Sequence, residues 1–335
     1  MKHNKLLRRI KSTFGITAMV LLVAKLVAAA EPADRTAEDP EDAQSKSRLA
    51  VPTPISAPTP VDAAKTIRYG DPNRLLLRSS VALIFDEHEG VLLYARSIDE
   101  RRSIASLTKL MTALVILDAQ LPLDEVVEIT KADRDRLKGS ASRLPYGTVL
   151  TRYDLLRIAL AASDNRAAAA LARTYPGGRK AAIQAMNEKA QALGMRQTRF
   201  TDPAGLHHGN VSTARDLAKL VYAIRERPLI GTLSTPGEFW VRDDYSGLQI
   251  GFRNTNVLVY KEYWDIALSK TGYTADAGNC LLMRTTIAKR PLVIILLNSW
   301  GKLSKFGDSN RIRRWLLDTE QKIQTHTGTT VGSRN

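Results

Sequence analysis

The chain has 335 residues, 44% hydrophobic and 25% charged, with 14 Pro, 20 Gly and one Cys. These proportions exclude collagen-like, disordered and disulfide-scaffold classes, and the length supports a large core in one or two domains. The net charge of +15 points to anionic lipid or cell-wall carboxylates; without a zinc-finger spacing, an RNA-binding aromatic motif or a dense Lys/Arg helix, nothing supports nucleic acid.

Residues 1–30 read as a signal peptide. Lys2, Lys5, Arg8, Arg9 and Lys11 make a basic start, Phe14 to Ala24 form an apolar run, and Ala28-Ala29-Ala30 offers a small-residue cleavage site. Lys25 ends the apolar run well short of the roughly 20 residues that span a bilayer, which speaks against the alternative of an uncleaved anchor. Residues 31–70 are rich in Pro, Ala, Asp and Ser and read as a stiff, extended linker. A catalytic domain is expected over 71–320, followed by a polar, frayed tail at 321–335.

Within that domain, Val81–Phe85 and Val91–Tyr94 read as a hairpin turning at Gly90. Helical spacing runs from Ala105 to Ala119, then over Tyr153–Ala161 and Arg166–Arg173, hinged at Ser163-Asp164-Asn165. Further helices are expected at Lys180–Leu193 and Thr213–Ile224, closed and opened by Gly194 and Ser212-Thr213 respectively. Ile266–Lys270, Cys280–Ile287 and Pro291–Leu297 read as strands, and Ser309 to Thr319 as a final amphipathic helix. Strands open and close the domain and helices fill its middle. That is an α+β layout, with one antiparallel sheet built from N- and C-terminal strands.

Three short motifs occur in order: Ser106-Leu107-Thr108-Lys109, Ser163-Asp164-Asn165 and Lys270-Thr271-Gly272. Each alone is weak, and Ser299-Trp300-Gly301-Lys302 is a decoy for the first, with no later motifs behind it. The conjunction carries the signal. Ser106 and Lys109, three apart on a helix, share one face, and a neutral lysine can take the proton that makes a serine nucleophilic. Burial plus a second cation, Lys270, would lower the lysine's pKa. The Ser106 backbone N–H near a helix N-terminus suits an oxyanion. The Ser163–Asn165 break exposes a hydroxyl and an amide. Lys270-Thr271-Gly272 is expected to end a strand that pairs with an extended substrate, Gly272 allowing close approach while Lys270 and Thr271 hold a carboxylate. Cys280 reads as a small buried hydrophobe, and His207-His208 as loop residues rather than a metal site.

These motifs resemble the penicillin-binding protein and serine β-lactamase superfamily. The likeness extends through Asn165–Ala169, Tyr175–Gly178, Ser212–Leu217, Phe252–Asn256, Lys270–Tyr273 and Trp300–Lys302, covering about residues 75–320. It is closest to low-molecular-mass D-alanyl-D-alanine peptidases, in particular the periplasmic D-alanyl-D-alanine endopeptidase (penicillin-binding protein 7) type. The resemblance implies that Ser106 is acylated, that Lys109 is its base and that Ser163 relays a proton to the leaving amine. Asn165 would bind the substrate backbone and help hold Lys109. Lys270 and Thr271, with Gly272, would hold the substrate carboxylate, and the backbone N–H groups of Ser106 and Tyr273 would form the oxyanion hole. No cofactor or metal is implied; the partners are peptidoglycan stem peptides and cross-links, with β-lactams as covalent inhibitors and peripheral membrane association left open.

Two departures narrow the reading. Class A β-lactamases carry a deacylating Glu after the second motif, whereas Glu188 here falls mid-helix. The main D,D-carboxypeptidases add a β-rich domain and a C-terminal amphipathic anchor, for which the residues after Gly272 leave no room. Both favour an endopeptidase, with a D,D-carboxypeptidase, a β-lactamase and a non-catalytic wall-binding scaffold as alternatives.

Overall fold

The structure, a computed structural model, describes residues 70–331. The expected signal peptide, the linker up to residue 69 and residues 332–335 lie outside the described residues. Long apolar runs form the largely buried strands β1 (Ser79–Asp86), β4 (Gly278–Ile287) and β5 (Arg290–Ser299), flanked by the more exposed β2 (Val91–Arg96) and β3 (Asp265–Thr274). They make one five-stranded sheet in the order β2-β1-β5-β4-β3, antiparallel throughout. The N- and C-terminal strands therefore share one sheet, as expected from the α+β pattern.

Successive residues of each strand enter opposite layers. Val293, Ile295 and Leu297 join Val81, Leu83 and Leu282 in the larger core. Leu292, Ile294 and Leu296 join Ile84, Leu281 and Met283 in the smaller one. Against the larger core lie α1 (Thr108–Asp118), α2 (Arg152–Ala161), α3 (Asn165–Arg173), α4 (Gly178–Ala192), α5 (Ala214–Ile224) and α6 (Pro228–Ser234). α5 starts where Thr213 accepts the N–H of Asp216, the cap expected from Ser212-Thr213.

On the other face lies α7 (Ser304–Val331), which is longer than the Ser309–Thr319 helix expected, so the polar tail expected from residue 321 begins as helix. Residues 70–77 pack against the middle of this helix. Leu75 and Leu77 share a core with Ile312, Trp315 and Leu316, and the Trp315 indole N–H donates to Asp71 O at 3.1 Å. The fully buried Asp308 ties α7 to β1, accepting the Arg78 N–H at 2.9 Å, the Ser79 N–H at 2.8 Å and the Ser79 hydroxyl at 2.6 Å.

Unexpected elements of the middle region include the strand pairs Arg102–Ser103 with Val211–Ser212, Val126–Glu128 with Val149–Thr151 and Glu238–Arg242 with Gln249–Arg253, and the helix α6.

Candidate active site

Ser106 lies in the 3-10 turn Ala105–Leu107 that leads directly into α1. Ala105 takes a left-handed conformation (φ 47°), and its carbonyl accepts the Thr108 hydroxyl at 2.8 Å, pinning the turn. α1 is buried from Thr108 to Ile116 on every side, not only on the apolar stripe. Lys109 is thus enclosed, while Ser106 retains partial access to solvent.

The Lys109 Nζ lies 2.8 Å from Ser106 Oγ, 2.7 Å from Asn165 Oδ1 and 2.8 Å from Ala204 O. An amide oxygen and a carbonyl can only accept; of the three partners, only the serine hydroxyl can donate. A neutral amine spends its two N–H groups on Asn165 and Ala204, which leaves its lone pair facing the Ser106 hydroxyl. Burial pushes the Lys109 ammonium down to about 7, against the opposing pull of the Asp164, Asp202 and Asp135 carboxylates.

Ser163 occupies a strained junction (φ 61°) between α2 and α3. Asp164 caps α3 by accepting the Arg166 N–H at 2.9 Å and the Ala167 N–H at 3.0 Å, which sets Asn165 at the helix start, facing Lys109. The Asn165 amide donates to Ser140 Oγ at 2.7 Å, and Ser140 donates to Asp135 Oδ2 at 2.6 Å. The chain of bonds holds the amide with its oxygen toward Lys109. Ser163 stands apart from this network: its hydroxyl forms no hydrogen bond among the described residues.

Lys270, Thr271 and Gly272 lie within β3 rather than at its end, because the strand continues to Thr274. β3 is the outermost strand; α6 covers its first half, where the Ser269 N–H donates to Ser234 Oγ at 3.1 Å, and no further strand pairs with the edge at Thr271–Thr274 among the described residues. A Cβ at Gly272 would stand 3.0 Å from the Ser106 backbone N and 3.1 Å from Ala105 Cβ. The glycine therefore lets the strand run close against the Ser106 turn, whereas the sequence pointed to close approach by a substrate. Thr271 donates to Thr255 Oγ1 at 2.6 Å, and the Thr255 N–H donates to Ala161 O at 3.0 Å, joining β3 to the end of α2.

Lys270 is buried, and its ammonium donates to Thr271 O at 3.1 Å. Burial pushes its pKa well down, and the neighbouring Lys109 charge adds to this. The expected burial is thus the largest cause at Lys109, whereas the charge coupling between the two lysines falls on Lys270 rather than on Lys109. Tyr273 pairs with Asn279 in the sheet and exposes its side chain.

The loop after α4 was missed from the sequence. Asp202 accepts the backbone N–H groups of Ala204 at 2.8 Å, Gly205 at 2.7 Å and His207 at 2.8 Å, and the Asn210 amide. This holds the Ala204 carbonyl on Lys109. Gly205 (φ 81°) packs so tightly that a Cβ would fall 1.8 Å from Ala105 O. Asp202-Pro203 followed by Gly205 is a turn signal, though one that names no function.

Cys280 is buried, and its burial raises the thiol to about 11, which fits a small hydrophobe. Glu188 sits within α4, accepting the Gln184 amide at 2.8 Å. His207 and His208 stack at 4.3 Å, and the His207 ring accepts the Gly209 N–H at 2.9 Å within its loop.

With the geometry in view, comparisons with known proteins converge. The pattern of the D-alanyl-D-alanine carboxypeptidase family matches residues 70–301. A D-alanyl-D-alanine endopeptidase of Pseudomonas aeruginosa is 47% identical, over 78% of this chain and 84% of that protein. One from Escherichia coli K12 is 45% identical, over 77% of this chain and 83% of that protein. The D,D-transpeptidase of Streptomyces K15 superposes with a TM-score of 0.67 at 27% identity, covering 72% of this chain and 98% of that one. Penicillin-binding protein D2 of Listeria monocytogenes, solved in its ampicillin-bound form, gives a TM-score of 0.62 at 26% identity over 73% of this chain and 99% of that one.

Proposed function

Given that the chain belongs to the D-alanyl-D-alanine carboxypeptidase family of serine peptidases, we propose that it is a D,D-endopeptidase hydrolysing D-alanyl cross-links between peptidoglycan stem peptides. The observation that carries the mechanism is the Lys109 amine, held by Asn165 Oδ1 and Ala204 O with Ser106 Oγ at 2.8 Å. Lys109 takes the Ser106 proton as the serine oxygen attacks the D-alanyl carbonyl. The backbone N–H groups of Ser106 and Tyr273 receive the oxyanion. The scissile C–N bond then breaks, the amine leaves with a proton relayed through Ser163, and water hydrolyses the acyl-enzyme. Asn165 and the open edge of β3 bind the substrate backbone, while Lys270 and Thr271, with Gly272, hold the terminal carboxylate. β-Lactams acylate Ser106 by the same attack.

The enzyme works in the periplasm, with residues 1–30 removed on export, 31–70 as a linker and 71–320 as the catalytic domain. No helix among the described residues is long and apolar enough to cross a membrane. The cation-rich surface supports meeting an anionic wall, with peripheral membrane contact secondary.

Carboxypeptidase action is the second reading, favoured by the family's own description. Against it, the endopeptidases above are 47% and 45% identical, whereas a Bacillus subtilis carboxypeptidase is 31% identical. Mass spectrometry of a cross-linked muropeptide dimer and a pentapeptide monomer, incubated with wild type or Ser106→Ala, decides between them. Dimer cleavage by the wild type alone is the expected result. Loss of only a terminal D-Ala would mean a carboxypeptidase, and no product from either substrate would mean a wall-binding scaffold.

A further inference from the structure

A cavity of about 430 Å³ opens beside Asn165 and Ala204, the two residues that hold Lys109. Its outer wall is the segment from Ala132 to Leu137, and its floor is Pro203 with Ala169 of α3. That volume is within the range of small-ligand pockets and holds one long peptide side chain with room for water.

Charge sets what the cavity takes. Three carboxylates line it, Asp133, Asp135 and Asp202, and all are committed internally. Asp133 is buried in an ion pair with Arg173 at 2.8 Å. Asp135 accepts the N–H groups of Leu137 at 2.8 Å, Lys138 at 3.0 Å and Ser140 at 2.9 Å, besides the Ser140 hydroxyl. Asp202 is saturated by its own loop. Arg134 and Arg136, by contrast, are exposed along the same wall, and among the described residues neither side chain forms a hydrogen bond or ion pair. Arg179, also lining the cavity, donates only to the neutral Ala132 carbonyl at 2.9 Å. Arg173 offsets Asp133, so Arg134, Arg136 and Arg179 stand against the retained charges of Asp135 and Asp202, and the lining is positive by one unit, with the two unpartnered guanidinium groups on the wall that borders Asn165.

We propose that this cavity is a substrate subsite in which Arg134 and Arg136 hold a side-chain carboxylate of the peptidoglycan stem peptide. The proposal rests on the D,D-peptidase reading and adds to it a preference that the three motifs do not contain. It is distinct from the place assigned to the terminal carboxylate, which lies at Lys270 and Thr271 on β3. Guanidinium groups pair with carboxylates bidentately, and a neutral amide in the same position forfeits the charge-assisted part of that contact. The subsite therefore separates stem peptides with a free side-chain carboxylate from those in which it is amidated.

The test uses the wild type and the double variant R134Q/R136Q with two synthetic cross-linked peptides, in each of which an N-acyl dipeptide ending in D-Ala is joined through its D-alanyl carbonyl to an amine of an acceptor peptide. The residue before that D-Ala carries a long side chain ending in a carboxylate in one peptide and in its primary amide in the other. The readout is the ratio of kcat/KM between the two peptides within each protein, which cancels any general loss in the variant. Wild type should favour the acid about tenfold, the ratio should shrink as salt is raised, and the variant should bring it near one. Equal rates on both peptides by the wild type, or a preference retained in the variant, overturns the subsite. Labelled penicillin run against the wild type separates the two levels: acylation of Ser106 with no peptide preference removes only the subsite. No acylation removes the D,D-peptidase reading, and the subsite with it.

Discussion

In the proposed mechanism, Lys109 is one buried side chain made into a base without a histidine. Its enclosure in α1 costs the charged form its hydration, and two obligate acceptors fix the direction of its lone pair. Ser140 and Asp135 secure the arrangement from outside by fixing which end of the Asn165 amide faces inward. The carboxylates of Asp164, Asp202 and Asp135 pull the pKa up, and the result, about 7, places the base near a neutral working pH. Lys270 on β3 is the other titratable group facing it. The sign of the pH effect follows: the protonated amine cannot accept the serine proton, so acidity suppresses attack. The second-order rate constant for acylation by penicillin, which reports on the free enzyme, should rise about tenfold per pH unit below about 7 and level off above it. A rate constant flat between about pH 5 and pH 9 would remove Lys109 from the role of base.

At the scale of elements, the site is an assembly of three chain segments pressed on one turn: β3 at Gly272, the start of α3 at Asn165, and the Asp202–Asn210 loop beneath. The first two were legible because their chemistry is written in consecutive residues. The loop was not, since its role is carried by the Ala204 carbonyl and the missing side chain of Gly205, and neither has a residue-type signature. Secondary structure divides the same way. Leu292–Leu297 was readable as a strand because burial on both faces leaves an unbroken apolar run. Phe239 and Val241 point inward and Trp240 outward in a genuine two-residue period, yet a five-residue strand bordered by Asp243-Asp244 offers too few repeats to stand out. The Lys109 environment was half legible: spacing placed it beside Ser106, but only packing shows α1 buried all round. The loop's importance can be measured with Gly205→Ala. Its φ of 81° disfavours any Cβ, and that atom would sit 1.8 Å from Ala105 O. The nucleophile turn must move, so stability should fall by about 2 kcal/mol or more and penicillin acylation by at least about tenfold. Wild-type acylation at an unchanged Tm would show that the loop does not position Ser106.

Over the whole molecule, the sheet divides catalysis from support. Every residue assigned to the acyl-transfer site lies on the side of the larger core or along β3, while α7 and residues 70–77 pack on the opposite face. Asp308 is the fixed point of that second layer. It is fully buried and satisfies the Arg78 and Ser79 backbone N–H groups and the Ser79 hydroxyl, while also meeting the Arg311 guanidinium. Asp308→Ala strands the two backbone donors in an apolar layer, leaves the Ser79 hydroxyl with Ser299 Oγ alone, and leaves the arginine without its counter-charge. A loss of about 3 kcal/mol is expected, which for a domain of this size lowers Tm by about 6–12 °C. The Ser106 turn, reached only through the sheet, keeps its geometry, so the acylation rate constant of the folded protein at 25 °C should match the wild type. Measured together, a lowered Tm with an unchanged rate constant establishes that the two layers are energetically separable. A rate constant that falls while the protein remains folded would mean instead that α7 sets the placement of β3 against the nucleophile, and the division into catalytic and supporting faces would be wrong.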